Sequence, residues 1–231
     1  MAERFFDSDD RGTGKRSRRL MKIDKRITTT RESLKRSLLK IMREEPIFRI
    51  AVKDICKRAN VSRGTFYLHY RSPYDLLEEI EDELFADIKA VVDKDLGPGP
   101  DMVRFFRDIL KVLLKHQDTI IVNFSTHGHL RVQATISSLI HDRMVGIWRY
   151  EFPDVGFDLL EYAYAFCAGG ALGIVNAWGR GGFVENPDDV ARLILLLGGG
   201  IDTTFAHTKG NWNIRTLQQS EPFHEPQNSP A

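Results

Sequence analysis

The feature that most constrains this chain is the stretch AVKDICKRANVSRGTFYLHY, residues 51–70. Val52, Ile55, Cys56 and Ala59 recur at i, i+3, i+4 and i+7, which makes one apolar stripe on a helix of about two turns. Ala59-Asn60-Val61-Ser62 then interrupts the pattern. Asn60 tolerates the left-handed conformation that ends a helix, Val61 can turn inward, and Ser62 is a favourable N-cap for the next helix. That next helix is short, because Ser72-Pro73 restarts the chain with proline at a first helical position. A short helix, a three- to four-residue turn and a second short helix form a helix-turn-helix, whose second helix enters the DNA major groove.

The residues of the second helix divide accordingly. Phe66 and Tyr70 stand at i and i+4 and can anchor it to a core, leaving Arg63, Gly64, Thr65, Tyr67, Leu68 and His69 outward. Arginine reads guanine with two hydrogen bonds, threonine meets a base edge or a thymine methyl, and tyrosine and histidine suit phosphates. A buried helical hairpin with a few solvated polar residues satisfies the same periodicity, but it leaves an exposed Tyr and His unexplained. Residues 11–40 hold twelve Lys or Arg against two acidic residues, although the whole chain is only +1. Such a run is suited to phosphates.

Punctuation along the chain predicts an all-α fold. One helix is expected over about 29–45, on the stripe Leu34, Leu38, Ile41 and Met42, with Pro46 as its stop. The short pair follows, then a helix from 73 to about 95, the breaker Gly97-Pro98-Gly99-Pro100, and helices near 101–117, 119–126, 130–150, 156–180 and 187–206. The expected division is a basic mobile tail over 1–25, a DNA-binding head over 26–72, a helical ligand-binding and dimerisation domain over 73–209, and a polar tail over 210–231.

Several classes of function lack support. At 42% hydrophobic and 28% charged residues the chain has the composition of a folded soluble protein and not of a disordered one. Two cysteines without CxxC spacing give neither a disulfide framework nor a zinc knuckle and fit a reducing cytoplasm. His127 and His129 on a helix would point about 200° apart, and no i, i+4 pair joins His116 or His141, so no metal or other cofactor is expected. No GxSxG or phosphate-binding loop suggests an enzyme. The most apolar stretch, Tyr162 to Gly179, is near the lower limit for a membrane span and contains Asn176; a helix buried in an interface explains it better.

Residues 29–77, and VKDICKRANVSRGTFYLHYRS in particular, resemble the DNA-binding head of the TetR family of transcriptional regulators. The resemblance implies a homodimer, usually a repressor, that binds a double-stranded DNA operator and whose C-terminal helical domain dimerises and binds a small-molecule effector. It also implies that Lys53, Ser62, Arg63, Gly64, Thr65, Tyr67, Leu68 and His69 fall where family members touch DNA. Two positions depart from the pattern: Ala51 stands where the family commonly has Thr, and Pro73 where it commonly has Lys. Arg71 or the basic tail is the candidate replacement for that lysine. A ligand-dependent activator and a helical protein-interaction module are the alternatives.

In the C-terminal part, Ala165, Gly169, Gly173 and Ala177 lie four apart and make a ridge of small residues that lets another helix approach closely. Together with Leu197 and Ile201 they are the expected dimer contacts. GGALGIVNAWGRGGF more weakly resembles the Gly-rich, Trp-containing dimer helix of a TetR subgroup. An effector site is expected among Phe105, Phe124, His127, Trp148, Tyr162 and Phe166, with Asn123 and Arg131 as further polar candidates.

Overall fold

In the computed structural model, backbone is described for residues 11–96, 99, 101–123 and 130–200, and side chains from residue 27 onward within those segments except at residue 130. The order is α1 (Arg11–Met42), a 3-10 turn (Ile47–Arg49), α2 (Val52–Ala59), α3 (Arg63–Tyr67), α4 (Pro73–Asp95), α5 (Met102–Lys115), α6 (Gln117–Asn123), α7 (Leu130–Glu151), α8 (Phe157–Arg180) and α9 (Pro187–Gly198). Among the described residues there is no strand. The chain divides into two compact units, Met1–Ile80 and Glu81–Ala231.

The first unit is built by α1, α2 and α3 with the opening of α4. Leu34, Leu38 and Met42 of α1 are fully buried with Ile55, Phe66 and Leu76. Asn60 adopts φ 56° and ψ 46°, and its N–H reaches back to the carbonyls of Cys56 and Lys57. This left-handed residue closes α2 and turns the chain, a conformation that asparagine tolerates better than most residues. Ser62 then caps α3: its Oγ accepts from the Thr65 N–H at 3.0 Å.

One expectation about this unit is corrected. The first helix starts at Arg11 and not near Thr29, so residues 11–25, expected in a tail, are helical. Lysine and arginine are good helix formers, and a charged segment needs no apolar stripe to continue a helix that is anchored at its other end. The 3-10 turn at Ile47–Arg49 places Ile47 in the core and was not anticipated.

In the second unit, α5 packs on α9, α7 on α8 and α8 on α9. Asp101 caps α5, and Asn186 caps α9 with Pro187 at its first turn. Core side chains include Leu84, Ile88, Phe105, Ile120, Val132, Trp148, Leu160 and Trp178. Buried Glu81 of α4 is paired with Arg131 of α7 at 3.1 Å, which places Arg131 in a structural ion pair. Asn123 is buried and donates to the Thr119 carbonyl at 3.0 Å. The helix expected over 187–206 is described only to Gly198, and the expected dimer contact Ile201 lies outside the described residues.

Candidate nucleic-acid interface

The short α3 is held on one side and open on the other. Phe66 is fully buried and stacks at an angle against Tyr70, with ring centroids 5.7 Å apart. On the open side Tyr67 is 59% and Leu68 81% exposed. Arg63, Gly64 and Ser62 are exposed as well, as is Lys53 on α2, whereas Thr65 and His69 are half-buried. Two large apolar side chains left in water at the end of a five-residue helix form a surface suited to a partner.

The hydroxyls of this surface are partly committed to the fold. Thr65 Oγ1 lies 2.9 Å from Ser62 Oγ, so the side chain expected to meet a base edge also takes part in the cap. Arg71 is likewise engaged: its backbone N–H donates to Asp75 Oδ2 at 2.9 Å, and its guanidinium reaches both Asp75 oxygens at 3.4 Å. These contacts hold the Asp75 carboxyl below the usual aspartate range, the Arg71 backbone N–H contributing most. A phosphate contact by Arg71, the candidate substitute for a lysine at position 73, must therefore compete with Asp75. Asp75→Asn is expected to release the guanidinium and steepen the salt dependence of DNA binding by roughly one counterion, read from affinities across a salt series.

A feature the sequence reading missed fixes the end of α3. The Tyr70 hydroxyl donates to Glu79 Oε1 at 3.0 Å and accepts from Arg31 Nε at 3.2 Å. Lys35, itself buried, reaches Glu79 Oε1 at 2.9 Å, and Arg31 Nη2 pairs with Glu79 Oε2. Residues from α1, α4 and the segment after α3 thus share one carboxylate. The available signal was a tyrosine, and not a phenylalanine, at a buried anchor position; nothing in local spacing linked it to Arg31 or Glu79.

Burial alone pushes the Glu79 carboxyl up, but the hydrogen bonds from Lys35, Arg31 and Tyr70 outweigh it and hold the group below the usual glutamate range. The unfolded chain therefore binds more protons at mildly acidic pH. This contribution to stability is complete above the ordinary glutamate range and is lost as pH falls through it towards the depressed value. Urea midpoints measured against pH should show a steeper acid loss in the native chain than in Glu79→Gln.

The second unit contains a cavity of about 460 Å³ lined from α5, α7, α8 and α9. Of the expected effector residues, Trp148 and Phe166 line it. Phe105 does not, being closed into the core at 0% exposure, and Tyr162 is exposed on α8 outside the lining. Phe124 and His127 lie outside the described residues. Met144, Glu151 and Cys167 also line the cavity and were not singled out from sequence, although Met144, Ile147, Trp148 and Glu151 share one face of α7 at i, i+3, i+4 and i+7.

The expected dimer ridge is on the surface of α8: Ala165, Gly169, Gly173 and Ala177 are all exposed. Phe166 at 70%, Leu196 at 79% and Leu197 at 64% extend this apolar surface over α8 and α9. The helix is long and apolar enough to cross a membrane by length and composition, yet only 22% of its most apolar window is buried.

Comparison with known proteins assigns this arrangement. The family described as "Bacterial regulatory proteins, tetR family" matches residues 39–80, and "Transcriptional regulator C-terminal region" matches 101–197. The HTH-type transcriptional regulator YxbF of Bacillus subtilis is 34% identical over 67 residues, 29% of this chain and 18% of that protein. An HTH-type transcriptional regulator of Haemophilus influenzae is 26% identical over 94 residues, 39% of this chain and 50% of that protein. The matches therefore span half or less of these curated relatives.

Among solved structures, a TetR-like transcriptional regulator from Rhodococcus sp. RHA1 aligns with TM-score 0.55 at 17% identity, covering 78% of this chain and 97% of its own. A TetR transcriptional regulator from Streptococcus agalactiae 2603V aligns with TM-score 0.52 at 21% identity, covering 78% and 98%. At these identities the likeness is one of fold: an N-terminal helix-turn-helix followed by a helical C-terminal domain. With a family match over each of its two parts and an open, capped recognition helix in the first, the chain belongs to the TetR family of transcriptional regulators.

Proposed function

We propose that the protein is a ligand-responsive repressor that binds a palindromic operator as a homodimer in the cytoplasm. The observation that carries this reading is the surface of α8 and α9: a ridge of exposed small residues beside exposed Phe166, Leu196 and Leu197, with a cavity behind it. A monomer gains nothing by leaving such a ridge in water, whereas a second copy docked on it by two-fold symmetry buries the same ridge twice. The cavity gives the effector a place.

Arg63 and Thr65 are assigned to base edges, with Lys53, Tyr67 and His69 mainly on phosphates. Two heads must present their α3 helices about 34–36 Å apart to occupy successive major grooves. An effector that binds better to another separation lowers operator affinity by its differential affinity for the two states. The test is selection from random duplex DNA at near-physiological salt, without and then with candidate effectors. An inverted repeat recovered from free protein and released by ligand supports the reading; enrichment only with ligand present makes the protein an activator or co-repressed form, and an unpaired half-site excludes the homodimer.

A further inference from the structure

We infer that the cavity takes an apolar molecule bearing one cationic group, held at Glu151; the inference rests on the ligand-responsive reading and gives the effector a chemical class. Most of the wall is apolar, with Met102, Phe106, Met144, Trp148 and Ile174 among its residues. Among the described residues neither lysine, arginine nor histidine lines it, and Glu151 is the one charged residue of the lining. Glu151 is also the last residue of α7, where the partial negative charge of the helix end adds to that of the carboxylate. Among the described residues Glu151 enters no ion pair, and the neighbouring Arg149 lies over the Phe157 ring at 5.7 Å.

Glu151 is exposed where it lines the cavity, so its carboxylate is hydrated until a ligand covers it, and a cationic group seated there keeps that charge paired as water leaves. The rings of Phe106, Trp148 and Phe166 in the wall add faces that attract a cation. An anionic ligand would meet the carboxylate and the helix end with no positive group to offset them. A neutral apolar ligand would fill the space but leave Glu151 as it is. The volume, about 460 Å³, lies within the usual range for small-molecule sites.

The test uses three probes that share one aromatic body: 1-naphthylmethylammonium, 1-naphthylmethanol and 1-naphthoate, titrated calorimetrically into the full-length protein at neutral pH. The ammonium is expected to bind about tenfold more tightly than the alcohol, and the carboxylate most weakly, in line with a charge-assisted contact. Glu151→Gln should abolish the advantage of the ammonium and leave the affinity of the alcohol in place. Gly170→Leu should weaken all three by occupying the cavity, since a Cβ at Gly170 meets no atom within 4 Å and the variant should fold.

Equal binding of ammonium and alcohol, an advantage that survives Glu151→Gln, or no binding by any probe overturns the inference. Charge-ranked binding that leaves operator affinity unchanged upholds the assignment of the cavity and overturns the ligand-responsive reading instead.

Discussion

Arg63→Ala is expected to lower specific operator affinity by about 10- to 100-fold, corresponding to roughly 1–3 kcal/mol for a bidentate base contact. Arg63 opens α3, is exposed, and sits directly after the Ser62 cap, where the N-terminal residues of a recognition helix approach base edges. Non-specific binding should fall much less, because that term counts phosphate charges and is shared over many cations. Fluorescence anisotropy with operator and scrambled duplexes at one salt concentration separates the two effects. Equal loss on both duplexes would assign Arg63 to the phosphates, and no loss on either would remove it from the interface.

The largest effect on stability is expected from Phe66→Ala, at roughly 3–5 kcal/mol for truncating a fully buried aromatic side chain. Phe66 is 0% exposed and packs against the rings of both Tyr67 and Tyr70, at 5.5 and 5.7 Å between centroids. Losing it removes the anchor that fixes which face of α3 is open. A small head has about that much stability in total, so the variant should lose its first unfolding transition in urea while the second unit retains its own. Operator binding should disappear with that first transition. A variant that binds the operator normally would show that Tyr70 and the Ser62 cap hold α3 without Phe66.

Local chemistry made much of this fold readable in advance. Asn60, Ser62, Pro73 and Asn186-Pro187 each act on their own backbone, so the end of α2, the start of α3 and the starts of α4 and α9 could be read from one or two residues. The open face of α3 followed from the i, i+4 pair Phe66 and Tyr70 for the same reason. What depended on distant partners was not readable. Lys35 and Glu79 meet across 44 positions, and neither residue looks unusual in its own helix.

The candidate effector site fell between these cases. Phe105 and Trp148 are both aromatic residues on amphipathic helices, and sequence gives them the same standing. Only the packing of α5, α7, α8 and α9 sends Phe105 into the core and leaves Trp148 on a cavity wall. The N-terminal extension of α1 escaped notice for the opposite reason: its charged residues carry helix propensity but no stripe, and the stripe is what periodicity detects.

Phe166 and Leu197 belong at once to the cavity wall and to the exposed surface of α8 and α9. A molecule seated in the cavity and a second subunit resting on that surface would therefore touch the same two side chains, and thermodynamic reciprocity requires each to alter the other's affinity by one common factor. The midpoint of an effector titration should then drift with protein concentration, in the direction set by whether the guest strengthens or weakens the subunit contact. Cells holding different numbers of copies of this regulator would respond to different doses of the same compound.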